Sequence, residues 1–194
     1  MELERLFGEI CQISDPILVA RLVETAQVTT LKKGQLLIRQ GERQGNLFFL
    51  LHGILRGYFL DARGRDITDC FAFEFGAPAM PSFEFGESAP INIEAITDSE
   101  LASLPLAVVD QVLKSSPEAV QTYANLVLRS AKRHWEIKTV LYQYTATQKY
   151  QWFLQAYPEL ICHVSGRHIA SFLGMTPVTL SRLKRTLHEQ ARKS

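Results

Sequence analysis

From Val28 to Leu104 the chain runs as short apolar or alternating segments cut at close intervals by glycine, as in "LKKGQLLIRQGERQGNLFFLLHGILRGYFLDARGRDITDCFAF". A helix cannot be interrupted so often. Gly34, Gly41, Gly45, Gly53 and Gly64 fall where turns between strands would need positive φ, so the segment predicts several short antiparallel strands closing a barrel or sandwich. The chain then changes character. Pro117 suits the first turn of a helix, with Ser115 or Ser116 before it as cap, and neither Gly nor Pro recurs until Pro158.

Within that uninterrupted run Val120, Ala124, Val127, Ala131 and Trp135 recur at three- to four-residue spacing, with Tyr123, Leu126 and Leu128 widening the stripe. The stripe is too wide for one contact. The helix is expected to lay one face on the sheet and another on a second surface, with Ala124 and Ala131 allowing close approach. A bend is expected around Tyr144 to Ala146, followed by a second helix capped near Thr145 or Thr147 and ended by Tyr157-Pro158.

The stretch "VSGRHIASFLGMTPVTLSRLKRTL", Val164 to Leu187, carries the sharpest local signals in the chain. Ser165 is a cap for a helix running to Leu173, Gly174 makes a turn, Thr176 caps the next helix and Pro177 takes its first position. Leu180, Leu183 and Leu187 form the inward side of that helix. Helix, glycine turn and capped helix make a helix-turn-helix, whose second helix presents its first turns to a major groove. Thr179, Ser181 and Arg182 suit base edges, Val178 a thymine methyl, and Arg167, Thr176, Lys184 and Arg185 complete the candidate DNA contacts, with the terminal Arg192 and Lys193 on phosphates.

Charge supports this placement. The formal net charge is only +1, but Ser165 to Ser194 holds six Lys or Arg against the single acid Glu189. No segment approaches the roughly 18 apolar residues of a membrane span, and "MELERLFGEI" is amphipathic rather than signal-like, so a cytoplasmic protein without membrane contact is expected. Cys11, Cys70 and Cys162 are scattered and odd in number, which predicts neither a disulfide framework nor an iron-sulfur cluster; the five histidines show no diagnostic spacing, so no metal or cofactor is expected.

The ordered series Lys33-Gly34, Gly41-Glu42, Phe48 to Gly53 and Arg56 resembles the opening of a cyclic-nucleotide-binding jelly roll, and with the helices that follow the chain resembles the Crp/Fnr transcription regulators over nearly its whole length. The resemblance implies an α+β fold: a jelly-roll sensor over 1–116, a dimerisation helix over 117–143 and a helix-turn-helix domain over 144–194. It also implies a homodimeric transcription regulator that binds double-stranded DNA at an inverted repeat, with RNA polymerase as a further partner. Two places depart from the family. Members that hold a cyclic phosphate use a Gly-Glu pair and an Arg, but here these positions fall on about Pro78-Ala79 and Ala89. No cation occurs from Phe71 to Leu104, whereas Glu74, Glu84, Glu87 and Glu94 do, so a response to cyclic AMP is not expected. Arg56, His134 and Trp135 are the candidates for contact with an unidentified effector. Members also often carry Arg and Glu where this chain has Pro177 and Val178, so their DNA consensus does not transfer. A β-hairpin wing is expected to be missing or to precede the first helix of the motif.

Two other readings compete. A cupin-like metalloenzyme would need several histidines on facing strands, and His52 is the only one between Val28 and Leu104, so an enzyme is not expected. A helix-turn-helix that contacts protein instead of DNA is the remaining alternative.

Overall fold

The computed structural model describes residues 1–80 and 86–191, which group into two compact units: 1–57 with 71–131, and 58–70 with 132–191. In the first, α1 (Glu2–Arg5) passes into a π-helical turn (Leu6–Ile10), and α2 (Pro16–Thr25) begins where the Asp15 carboxylate accepts from the Ile17 amide. Among the described residues eight strands follow: β1 (Gln27–Leu31), β2 (Leu36–Ile38), β3 (Asn46–His52), β4 (Leu55–Leu60), β5 (Asp66–Ala72), β6 (Pro78–Ala79), β7 (Asn92–Ala95) and β8 (Ser99–Pro105). They form two four-stranded sheets of order β1-β8-β3-β6 and β2-β7-β4-β5: the antiparallel strands that the glycine spacing predicts, in the jelly-roll arrangement that the family resemblance implies. Gly34, Gly41, Gly53 and Gly64 do have positive φ. Gly45 does not: it leads directly into β3, and its carbonyl accepts from the Leu106 amide at 2.9 Å.

Why β3 reads as an almost unbroken apolar run, "NLFFLLH", follows from its position. Leu47, Phe49 and Leu51 face a cluster with Leu6, Phe7, Leu22, Val109 and Val112 from the flanking helices, while Leu50 faces the roll interior with Ile38, Leu55, Ile93, Ala95 and Leu101. Both faces are buried, so alternation disappears from the sequence. α3 (Leu106–Ser115) leads to α4 (Pro117–Gln143), where the Ser116 hydroxyl accepts from the Ala119 amide. Ala119 and Leu126 of α4 are buried in the helix-side cluster. Along the same helix Val120, Leu128 and Trp135 are 47%, 57% and 69% exposed, which makes α4 two-sided, though Leu126 belongs wholly to the inner side.

The second unit contains the tip of the β4–β5 hairpin, the end of α4, α5 (Ala146–Ala156), a 3-10 turn (Pro158–Leu160), α6 (Gly166–Phe172) and α7 (Pro177–Ala191). Thr145 and Gln148 form a reciprocal capping box at the start of α5, which places the expected bend at 144–145. Among the described residues no helix is long and apolar enough to cross a membrane.

Candidate nucleic-acid interface

α6 and α7 are held from beneath by aromatic packing. Phe153, Tyr157 and Phe172 are buried, with Phe153–Tyr157 ring centres at 5.1 Å and Tyr157–Phe172 at 5.5 Å, and Trp152 stacks on Phe172 at 6.2 Å. Burial pushes the Tyr157 phenol up to about 12 although the Arg133 guanidinium, 4.6 Å from the ring centre, pulls the other way. Tyr157 is therefore a neutral core residue. Ile169, Ala170 and Leu173 of the first helix and Leu180 of the second are buried with these rings' side of the unit, and such close packing sets the angle at which the second helix stands.

The caps fall where the residues require them. The Ser165 hydroxyl accepts from the His168 amide at 3.2 Å, and the Thr176 hydroxyl accepts from the Thr179 amide at 3.1 Å. Gly174 has φ +63 in the connecting turn, a left-handed conformation that a side chain would strain. α7 starts at Pro177, Leu180 is buried, Leu183 and Leu187 are half-buried, and Val178, Ser181, Arg182 and Arg185 are exposed.

Placement separates the predicted DNA contacts into groups. Arg182 is exposed and makes no ion pair among the described residues, whereas Arg185 pairs with Glu189 at 3.3 Å. Lys184 is half-buried, its ammonium 5.8 Å from the centre of the Tyr150 ring. The Thr176 and Thr179 hydroxyls lie 2.8 Å apart, so both are engaged in the cap. Arg167 is exposed in the first turn of α6. Arg192 and Lys193 lie outside the described residues. The connection from α5 to α6 holds only the 3-10 turn and no strand.

Sequence reasoning missed Ser171. Its hydroxyl accepts from the Thr68 amide at 2.9 Å and lies 3.2 Å from the Asp66 carbonyl, to which it donates, so it satisfies two backbone groups of β5. β5 is a sheet edge, whose unpaired backbone groups need such partners. No spacing in the sequence announces a contact over more than a hundred residues.

The effector candidates fall in both units. His134 lies 3.3 Å from Asp69 in the second unit, and Trp135 is largely exposed. Arg56, in the first unit, is 1% exposed and pairs with Glu94 at 2.7 Å. Leu55, Ile93 and Ala95 face the roll interior; Arg56 and Glu94 alternate with them along β4 and β7 and so occupy the opposite face. Arg56 therefore turns away from the roll interior and is already engaged by Glu94. At the cassette, the buried Ala89 donates its amide to the Glu42 carbonyl and accepts from the Gly41 amide, while Pro78 and Ala79 pair with β3. Glu84 lies outside the described residues.

Residues 28–116 match the cyclic nucleotide-binding domain family. The transcriptional activator Anr of Pseudomonas aeruginosa is 21% identical over 164 residues, covering 79% of this chain and 67% of its own. The structure of FixK2 from Bradyrhizobium japonicum superposes with a TM-score of 0.78 at 20% identity, over 86% of each chain. The chain carries a cyclic nucleotide-binding-type domain and has the fold of the Crp/Fnr regulators. A Eubacterium rectale protein assigned to the crp/fnr family adds a TM-score of 0.68 at 19% identity, over 91% of this chain and 84% of that one. Anr is by its name a transcriptional activator, and the Eubacterium rectale protein is described as a transcriptional regulator.

Proposed function

We propose that the protein is a DNA-binding transcription regulator of the Crp/Fnr type that acts as a homodimer, reads an inverted DNA repeat with α7 and does not respond to cyclic AMP. The observation that carries the reading is the capped start of α7, where Val178, Ser181 and Arg182 are exposed on a helix seated by Leu180. Side chains on the first turns of such a helix are the ones that reach base edges. Arg182 reads a base, with Val178 and Ser181 beside it. Thr176 and Thr179 act through the cap and their methyl groups, while Arg167, Lys184 and Arg185 contact phosphates and contribute affinity without sequence information.

Dimerisation is supported by the exposed apolar row on α4. Val120, Leu128, Trp135 and Tyr142, spaced by seven or eight residues, are all exposed. Ala124 and Ala131 lie between them, and a second copy of the helix would cover the row. Two recognition helices related by a two-fold axis then meet successive major grooves about 34 Å apart. RNA polymerase is the partner through which a bound dimer would act.

The cassette supports the lack of a cyclic AMP response. A cyclic phosphate requires a cation and free amides, but Ala89 has no charge and an engaged amide, and Arg56 is already paired. Selection of bound sequences from random duplex DNA, followed by gel shift, tests the first part: an enriched two-fold symmetric site is expected, and retention of no sequence over background would refute it in favour of a protein-binding motif. Calorimetric titration with cyclic AMP tests the second, where a stoichiometric micromolar isotherm would refute it.

A further inference from the structure

The sequence suggests no metal-binding residues, yet the topology of the first unit assembles a ligand set from three distant segments. His52 at the end of β3 stands directly opposite Glu100 on β8 in the antiparallel register. The register shifts between Leu50 and His52, and such a bulge re-aims the side chains beyond it. Gly53 then locks the strand end: a Cβ there would lie 2.2 Å from the Ser99 hydroxyl oxygen and 2.7 Å from the Asp98 carbonyl oxygen. Glu2 of α1 completes the group, with its Oε1 2.8 Å from Nε2 of His52.

One donor atom from each of Glu2, His52 and Glu100 lies within 4.8 Å of the other two, and all three side chains are exposed. Two carboxylates held this close repel each other, and one imidazole cannot offset both charges. A divalent ion would. Tetrahedral zinc with bonds of about 2.0 to 2.2 Å needs donor atoms about 3.4 Å apart, so the largest adjustment is about 1.4 Å, within reach of exposed glutamate rotamers. Imidazole in the donor set selects first-row transition ions over magnesium or calcium, which take oxygen.

We propose that Glu2, His52 and Glu100 form a binding site for a divalent first-row transition ion such as Zn2+, with water in the fourth position. The ion ties α1 to the ends of β3 and β8. It thereby links the N-terminal helix, which contributes no strand to the roll, to the sheet it flanks.

The test uses the whole untagged chain after EDTA treatment, because a histidine tag beside Glu2 would compete. Zn2+ is titrated calorimetrically and Co2+ by its visible absorption. One equivalent per chain with micromolar affinity is expected, abolished in His52→Ala and weakened at least about tenfold in each of Glu2→Gln and Glu100→Gln. The double variant Cys162→Ala, His163→Ala should bind as the parent does, and Zn2+ should raise the melting temperature of the parent but not of His52→Ala. Circular dichroism establishes that the variants are folded. No isotherm below millimolar Zn2+, binding that survives His52→Ala, affinity unchanged by either glutamine substitution, or a thiolate charge-transfer band with Co2+ would overturn the proposal and leave Glu2 and His52 as an ion pair only.

Discussion

Arg182→Ala is the substitution that most directly separates sequence reading from general affinity. Arg182 is exposed and makes no ion pair among the described residues, so no intramolecular partner has to be broken before it meets DNA and none is orphaned when it is removed. The loss should therefore equal one bidentate base contact, about 1 to 3 kcal/mol, or about 5- to 160-fold in Kd on the selected site. Folding stability should change by less than about 0.5 kcal/mol, since the side chain is exposed. Fluorescence anisotropy on the selected duplex and on a scrambled duplex, each at two salt concentrations, gives the discriminating comparison. Arg182→Ala should lower only the specific affinity, relax preference at one base position and leave the salt slope nearly unchanged. Lys184→Ala should weaken both duplexes together and flatten the salt dependence. Equal losses on the two duplexes for Arg182→Ala, with a flattened slope, would refute the reasoning and make Arg182 a phosphate contact.

Ala131→Glu places a charge in the middle of the exposed apolar row of α4 and should weaken self-association at least about 100-fold while leaving the fold intact, as read by sedimentation equilibrium; an unchanged association constant would move the dimer contact elsewhere. Arg56→Met leaves the Glu94 carboxylate, 17% exposed, without its 2.7 Å partner and should cost about 3 to 5 kcal/mol in urea unfolding, most of it recovered in the double variant Arg56→Met, Glu94→Leu. Burial pushes the Cys11 thiol up to about 12, so at pH 8 iodoacetamide should modify exposed Cys162 in the native chain and spare Cys11, with mass spectrometry of tryptic peptides reading the difference.

What could be read from the sequence was what is decided locally. The caps at Ser165 and Thr176 and the turn at Gly174 each depend on neighbours within three or four residues, so the helix-turn-helix was visible without tertiary information. The strands were visible because turns demand glycine. Gly45 shows the limit, since nothing local distinguishes a glycine in a turn from one that leads into a strand. Contacts between segments far apart could not be read. Arg56 matched a family pattern, but its partner lies 38 residues away on a neighbouring strand, and only strand parity shows that the pair turns away from the roll interior. The bonds of Ser171 to β5, and Glu2 beside His52 and Glu100, are hidden for the same reason.

The long helix shows how one segment can be legible in type yet ambiguous in orientation. Ala119, Leu126, Ile137 and Val140 are buried, with Tyr123, Ser130 and Arg133 half-buried between them, so an inward row advances by alternating steps of three and four residues. Leu128, Ala131, Trp135 and Tyr142 advance in the same way on an exposed row. The sequence pattern joined members of both rows in one wide stripe, with Tyr123, Leu126 and Leu128 at its margins, so it predicted two faces without dividing the residues between them. Burial resolves the two. A substitution on the inward row should appear first as lost stability, whereas one on the outward row should appear as lost association. Because dimer spacing sets half-site spacing, the outward row would affect DNA recognition without touching DNA.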